Sequence, residues 1–177
     1  MTESTNAPAL GFSMAALTHT GLVRDHNEDA MHYSPEDRLM LVCDGMGGHA
    51  GGHIASELAM QVVNTRIRTL KAEDWLNEER VIETMKQAIF DANDQILNMA
   101  RENRGLQDMG TTICAAAFMH DRVVFGHVGD SRIYRICDGA IEQLSEDHSL
   151  VAERIRAGTL DPDSEEALML SSILTRA

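Results

Sequence analysis

The sequence offers no apolar run near the ~20 residues that span a bilayer, no surplus of basic charge, and no paired cysteines. Each absence excludes something. Without a long apolar run, and with a polar Met1–Leu10 carrying Glu3 and no basic flank, neither a membrane span nor a signal peptide is expected, and a cytoplasmic setting follows. With 28 acidic against 15 basic side chains, net charge −13, the chain's field repels phosphate backbones and anionic lipid head groups, so neither nucleic acid nor a membrane surface is an expected partner. Cys43, Cys114 and Cys137 are odd in number and lack C-x-x-C spacing, which argues against a zinc or redox motif and for reduced, mostly buried thiols. There is no internal repeat and no low-complexity segment.

What is present is enough for one core. A length of 177 residues with 44% hydrophobic positions suits a single domain. Residues 1–11 read as a disordered leader and 12–177 as the domain. Phe12–Thr20 can form a first strand, and Arg38–Cys43 is a short apolar run ending at Asp44, as in a buried strand. From Ala50 the period becomes helical, with Ile54, Leu58, Val62, Ile67 and Leu70 near one face and Ala55, Ala59 and Val63 beside them. A second helix is marked by Val81, Met85, Ala88, Ala92, Ile96 and Met99, with Asn77 as its N-cap and Asn103 to Gly105 as its stop. Strands return at Thr111–Met119, Arg122–Val128, Ser131–Ile136 and Ala140–Leu144; the last two are joined by Asp138-Gly139, a strong hairpin signal. Beyond Ser149 two short helices are split by Gly158–Pro162. This order predicts an α+β fold with helices on antiparallel sheets.

Acidic and glycine-rich clusters fall where the predicted strands end, the places where a scaffold holds side chains rigidly yet open to solvent. They are Arg24-Asp25-His26-Asn27-Glu28-Asp29, Asp44-Gly45-Met46-Gly47-Gly48, Met109-Gly110-Thr111-Thr112 and Gly129-Asp130-Ser131-Arg132. Singly, each has an ordinary reading as a turn or hairpin tip. The glycine-rich segment lacks the Lys and Ser/Thr of a P-loop. His49 and His53 stand four apart, but with two glycines between them and no third ligand they read as coincidence rather than a zinc pair.

In order and spacing these motifs, with Asp147-His148-Ser149, resemble the metal-dependent serine/threonine phosphatases of the PPM (protein phosphatase 2C-like) family, in its bacterial form. The resemblance runs from about Phe12 to the end of the chain. It implies two stacked antiparallel sheets flanked by helices, here lacking the last strands, and hydrolysis of phosphoserine and phosphothreonine on proteins by a metal-activated water, opposing bacterial Ser/Thr kinases. In the family picture Asp44 bridges two Mg²⁺ or Mn²⁺ ions, Glu28 and the Gly45 carbonyl bind one of them, Arg24 grips the substrate phosphate, and Asp130 corresponds to a position that holds a third, weaker metal. Asp29 falls behind the ligands. Carboxylates, a carbonyl and water are hard ligands that favour such ions over zinc, and the planar guanidinium of Arg pairs bidentately with phosphate oxygens.

Two departures qualify the picture. Met46 stands where many eukaryotic members carry a His that protonates the leaving group, and a thioether donates no proton; His26 is the nearest alternative, more simply read as lining the site. The family also continues well beyond Ala177, where D-G-L and D-N motifs supply two more aspartates. Asp161 and Asp163, flanking Pro162 in a flap-like segment at about 149–177, do not replace them. The expectation is therefore a fragment or shortened product, weakly active or inactive and prone to self-association. A non-catalytic phosphoprotein-binding or regulatory module is the alternative, and a zinc hydrolase is disfavoured for want of a dense His/Cys set.

Overall fold

A computed structural model describes residues 12–47 and 50–177. Its centre is an antiparallel sheet built from β1 (Asp29–Ser34), β2 (Leu39–Met46), β4 (Ile113–Phe118) and β5 (Val123–Val128), hydrogen-bonded in the order β1-β2-β4-β5, with the short β3 (Gly110–Thr111) pairing the end of β2. Helices α1 (Gly51–Ile67) and α2 (Glu78–Glu102) cover one face. A separate ribbon of β6 (Tyr134–Cys137) and β7 (Ala140–Gln143) is followed by the short helices α3 (Leu150–Arg156) and α4 (Glu165–Leu170). The class is α+β with antiparallel sheets and helices, as the pattern predicts; the second sheet consists here of the two-stranded ribbon, every position of which is exposed. The leader at residues 1–11, with Gly48 and His49, lies outside the described residues.

α2 forms where its periodicity predicts. The Asn77 side chain accepts from the Arg80 N–H at 3.1 Å, satisfying a donor at the helix start, and Val81, Met85, Ala88, Ala92 and Ile96 are buried along one stripe. α1 differs in detail: its buried row is Ala55, Ser56, Ala59, Val63 and Ile67, while Ile54, Leu58 and Val62 pack at the rim. Small side chains let the helix backbone approach β2 and α2 closely, so the bulkier residues occupy the flanks. The β6–β7 turn has Asp138 at φ 51° and Gly139 at φ 79°, the double left-handed geometry that matches strand twist.

Two expectations need correction. Phe12–Thr20 is not a strand. It pairs with no strand among the described residues; it is tied down instead by Phe12 stacking on Phe118 at 4.8 Å between ring centroids and by the Thr18 hydroxyl donating to the Asp29 carboxylate at 3.3 Å. The first strand is β1, which the sequence reading passed over because Asp29, His32 and Ser34 interrupt its apolar pattern. Of the thiols, Cys43 is buried, Cys114 partly so and Cys137 exposed beside the ribbon turn, so burial does not extend to all three.

Candidate active site

Each of the four acidic and glycine-rich clusters reaches one place, and Asp147-His148-Ser149 does not line it. A cleft of about 620 Å³ at the end of the central sheet is lined by Arg24, Glu28, Asp44, Gly45, Thr112 and Asp130, with His26 and Met46 also on its wall. Arg24 is the one Arg or Lys on the described lining. Strand pairing is what gathers these groups: β1 runs antiparallel to β2 with Asp29 opposite Asp44, so Glu28 arrives at the strand end beside Gly45, whose N–H donates to the Glu28 carbonyl at 3.2 Å. The Ser56 hydroxyl of α1 donates to the same carbonyl at 2.6 Å, fixing Glu28 from below.

Glycine is required where β1, β2 and α1 meet. A Cβ on Gly45 would lie 2.0 Å from the Gly52 carbonyl oxygen, and a Cβ on Gly52 would lie 2.4 Å from Oε2 of Glu28. The start of α1 therefore presses its bare backbone against the Glu28 carboxylate, a role for Gly52 that no sequence pattern announced.

Asp44 sits in a second lattice. Its N–H donates to Thr112 Oγ1 at 3.0 Å, its carbonyl accepts from the Thr112 N–H at 2.9 Å and from the Thr111 hydroxyl at 3.0 Å, and Thr112 Oγ1 in turn lies 2.7 Å from Ser131 Oγ. The Asp44 carboxyl is held above the usual carboxylate range, chiefly by desolvation and next by the negative charge of Asp29; Arg24 opposes the shift and Asp130 adds to it. Asp29 does not line the cleft: it faces Asp44 across the strands and accepts from Thr18. Asp161 lies outside the cleft lining and accepts from the N–H of Asp163 at 3.0 Å, whereas Ser172 and Leu174 of the same C-terminal region do reach the cleft.

Residues 20–173 match the family model described as Protein phosphatase 2C. This decides the family. The chain belongs to the protein phosphatase 2C family. It is 35% identical over 163 residues to the serine/threonine phosphatase stp of Listeria welshimeri, covering 90% of this chain and 64% of that protein. The fold superposes on the serine/threonine phosphatase of S. agalactiae with a TM-score of 0.79 at 32% identity, covering 90% of this chain and 65% of the other. It also superposes on the catalytic domain of PstP in complex with two manganese ions, with a TM-score of 0.72 at 30% identity over 88% of this chain and 62% of the other. The chain thus spans about 64% of the length of the curated Listeria relative.

Within this phosphatase 2C fold the cleft suits a hard cation by its chemistry. Its lining brings the carboxylates of Glu28, Asp44 and Asp130 together with a single arginine, and the Asp44 pKa is raised first by desolvation and then by the neighbouring Asp29. Among the described residues no three His, Cys, Asp or Glu side chains gather into a group that could hold a metal. Oxygen donors of this kind suit hard cations rather than a tight four-ligand zinc site.

Proposed function

We propose that this chain carries the phosphate-binding and part of the metal-binding machinery of a phosphatase acting on phosphoserine and phosphothreonine in proteins that are substrates of bacterial Ser/Thr kinases. The observation that carries the reading is the convergence of Arg24, Glu28, Asp44, Gly45 and Asp130 on one cleft of a phosphatase 2C fold. Arg24 grips the substrate phosphate, its planar fork matching two phosphate oxygens. Asp44, Glu28 and the Gly45 carbonyl would hold the cations, and Asp130 would hold a further, weaker one. Mg²⁺ or Mn²⁺ bound there would supply an acidified water and offset phosphate charge. Asp29 faces Asp44 and orients it through shared charge and protons. The reading extends to a domain of residues 12–177 with a flap-like segment at 149–177, working in the cytoplasm; none of the described helices is long and apolar enough to cross a membrane.

The second cation position retains only Asp44 from the set the resemblance implies, so we expect weak turnover from these 177 residues. The open face of the central sheet makes self-association the expected state in solution. A non-catalytic phosphoprotein-binding or regulatory role is the competing reading.

The test combines Mn²⁺ titration by calorimetry with Mn²⁺-dependent release of phosphate from a phosphothreonine peptide. Wild type is expected to bind Mn²⁺ and turn over slowly; Asp44→Asn should lose binding and at least about 100-fold in turnover, since the bridging charge contributes several kcal/mol. Mn²⁺ binding unaffected by Asp44→Asn would sink the assignment. Peptide binding through Arg24 without any turnover would select the non-catalytic reading.

A further inference from the structure

The turn that delivers Asp130 to the cleft is held by a residue with no place in the site described so far. Gly129, immediately before Asp130, is buried and has φ 102°, a left-handed conformation suited to glycine. On one side Thr112 presses on it: a Cβ there would lie 2.5 Å from Thr112 Cγ2. On the other side stands His148. The Gly129 N–H donates to His148 Nδ1 at 3.2 Å, and the His148 N–H donates to the Gly129 carbonyl at 2.8 Å, so one residue satisfies both backbone groups of the glycine.

The clamp is itself braced. The His148 carbonyl accepts from the Thr175 N–H at 2.9 Å, and its ring lies against His127 with centroids 5.0 Å apart. The neighbouring Asp147 takes the Arg132 guanidinium, with Nη2 to Oδ2 at 2.6 Å and Nε to both oxygens at 3.0 Å, tying down the far side of the same turn. His127 Nε2 reaches the Ser131 carbonyl at 2.7 Å. Asp130 itself is exposed in a turn whose other members are held by these bonds.

We infer that His148 is a positioning residue for Asp130: by accepting from and donating to Gly129 it fixes the direction in which the Asp130 carboxylate enters the cleft. The inference rests on the proposed role of Asp130 toward a cation. It needs Nδ1 of His148 as an acceptor, which makes it sensitive to side-chain chemistry in a way that simple packing is not. Asn places an acceptor oxygen on Cγ, where His carries Nδ1, and Leu places none.

The 177-residue chain and its variants are compared by two readouts. The first is hydrogen exchange of the Gly129 amide without metal. His148→Leu should lose the protection that wild type shows and His148→Asn should retain it. The second is Mn²⁺ binding followed by calorimetry and water-proton relaxation. Asp130→Ala should weaken the lowest-affinity Mn²⁺ at least fivefold, His148→Leu about as much, His148→Asn less than twofold, and His148→Leu should add nothing in the Asp130→Ala background. Should His148→Leu fail to fold by circular dichroism, His148→Gln, whose polar group is displaced by one carbon, takes its place with the same expected losses. If Asp130→Ala weakens Mn²⁺ and His148→Leu does not, or if His148→Asn is as damaging as His148→Leu, the positioning role is overturned while the cation reading stands. Mn²⁺ binding indifferent to Asp130→Ala overturns both.

Discussion

The two faces of the central sheet are built from the same strands and meet opposite fates. Leu39, Leu41, Cys43, Ala115, Ala117 and Val124 point toward α1 and α2 and are buried, while Tyr33, Val42 and Phe125, alternating with them, point the other way and are 48%, 46% and 42% exposed. Many residues on the open face are nonetheless apolar: Met40 and Val42 on β2, Ala116 and Phe118 on β4, Phe125 on β5. Strands apolar on both faces are the pattern of a sheet covered twice. The comparison teaches that the fold's stability rests on the helix-covered face, and that the cleft, at the sheet's end, carries its acidic groups where cover is incomplete.

This asymmetry can be broken by substitution. Leu41→Ala on the covered face should cost about 2–5 kcal/mol in urea unfolding, since it removes a fully buried side chain and leaves a cavity. Gly45→Ala should follow at about 1–3 kcal/mol, because its Cβ meets backbone at the junction of β1, β2 and α1, where no side chain can swing away. Val42→Ala, one residue from Leu41 but on the open face, should cost less than about 1 kcal/mol in the monomer. A Val42→Ala cost rivalling that of Leu41→Ala would mean that the open face is covered in solution, and a cost that grows with protein concentration would identify a second copy as the cover.

How much was legible in advance follows the same division. α2 could be read end to end because its stripe is regular and both caps, Asn77 and Asn103, are local signals. The ribbon announced itself through Asp138-Gly139, and the glycine and acidic motifs pointed to one site through the family resemblance rather than through any local pattern. β1 escaped because its core contribution is a single alanine, Ala30, among polar neighbours, and a short strand takes its identity from the partner it pairs with. The supports of the site escaped for a related reason. Ser56 beneath Glu28, Thr112 beneath Asp44 and His148 beneath Gly129 each bind backbone groups 19 to 68 residues away, and such bonds leave no periodicity to detect.

The smallest expected effect concerns Asp44 itself, on the same strand as Leu41 and contributing with the opposite sign. Its folded-state pKa is raised by desolvation and by the charges of Asp29 and Asp130, so over the interval between the unfolded value, about 3.9, and the raised folded value the native state binds more protons than the unfolded state. Stability then falls as pH rises through that interval. Asp44→Asn removes the titration, so in metal-free buffer the variant should be slightly more stable than wild type at neutral pH, and the gap should close as pH drops below about 3.9, where Asp44 is protonated in both states. Mn²⁺ should reverse the order at neutral pH by giving the wild-type carboxylate the counter-charge it lacks, while leaving the Asn variant unmoved. Thermal unfolding of both proteins at pH 3.5, 5 and 7, with and without Mn²⁺, measures all of this. A variant less stable than wild type at pH 7 in the absence of metal would show that the hydrogen-bond lattice around Asp44 outweighs its electrostatic strain.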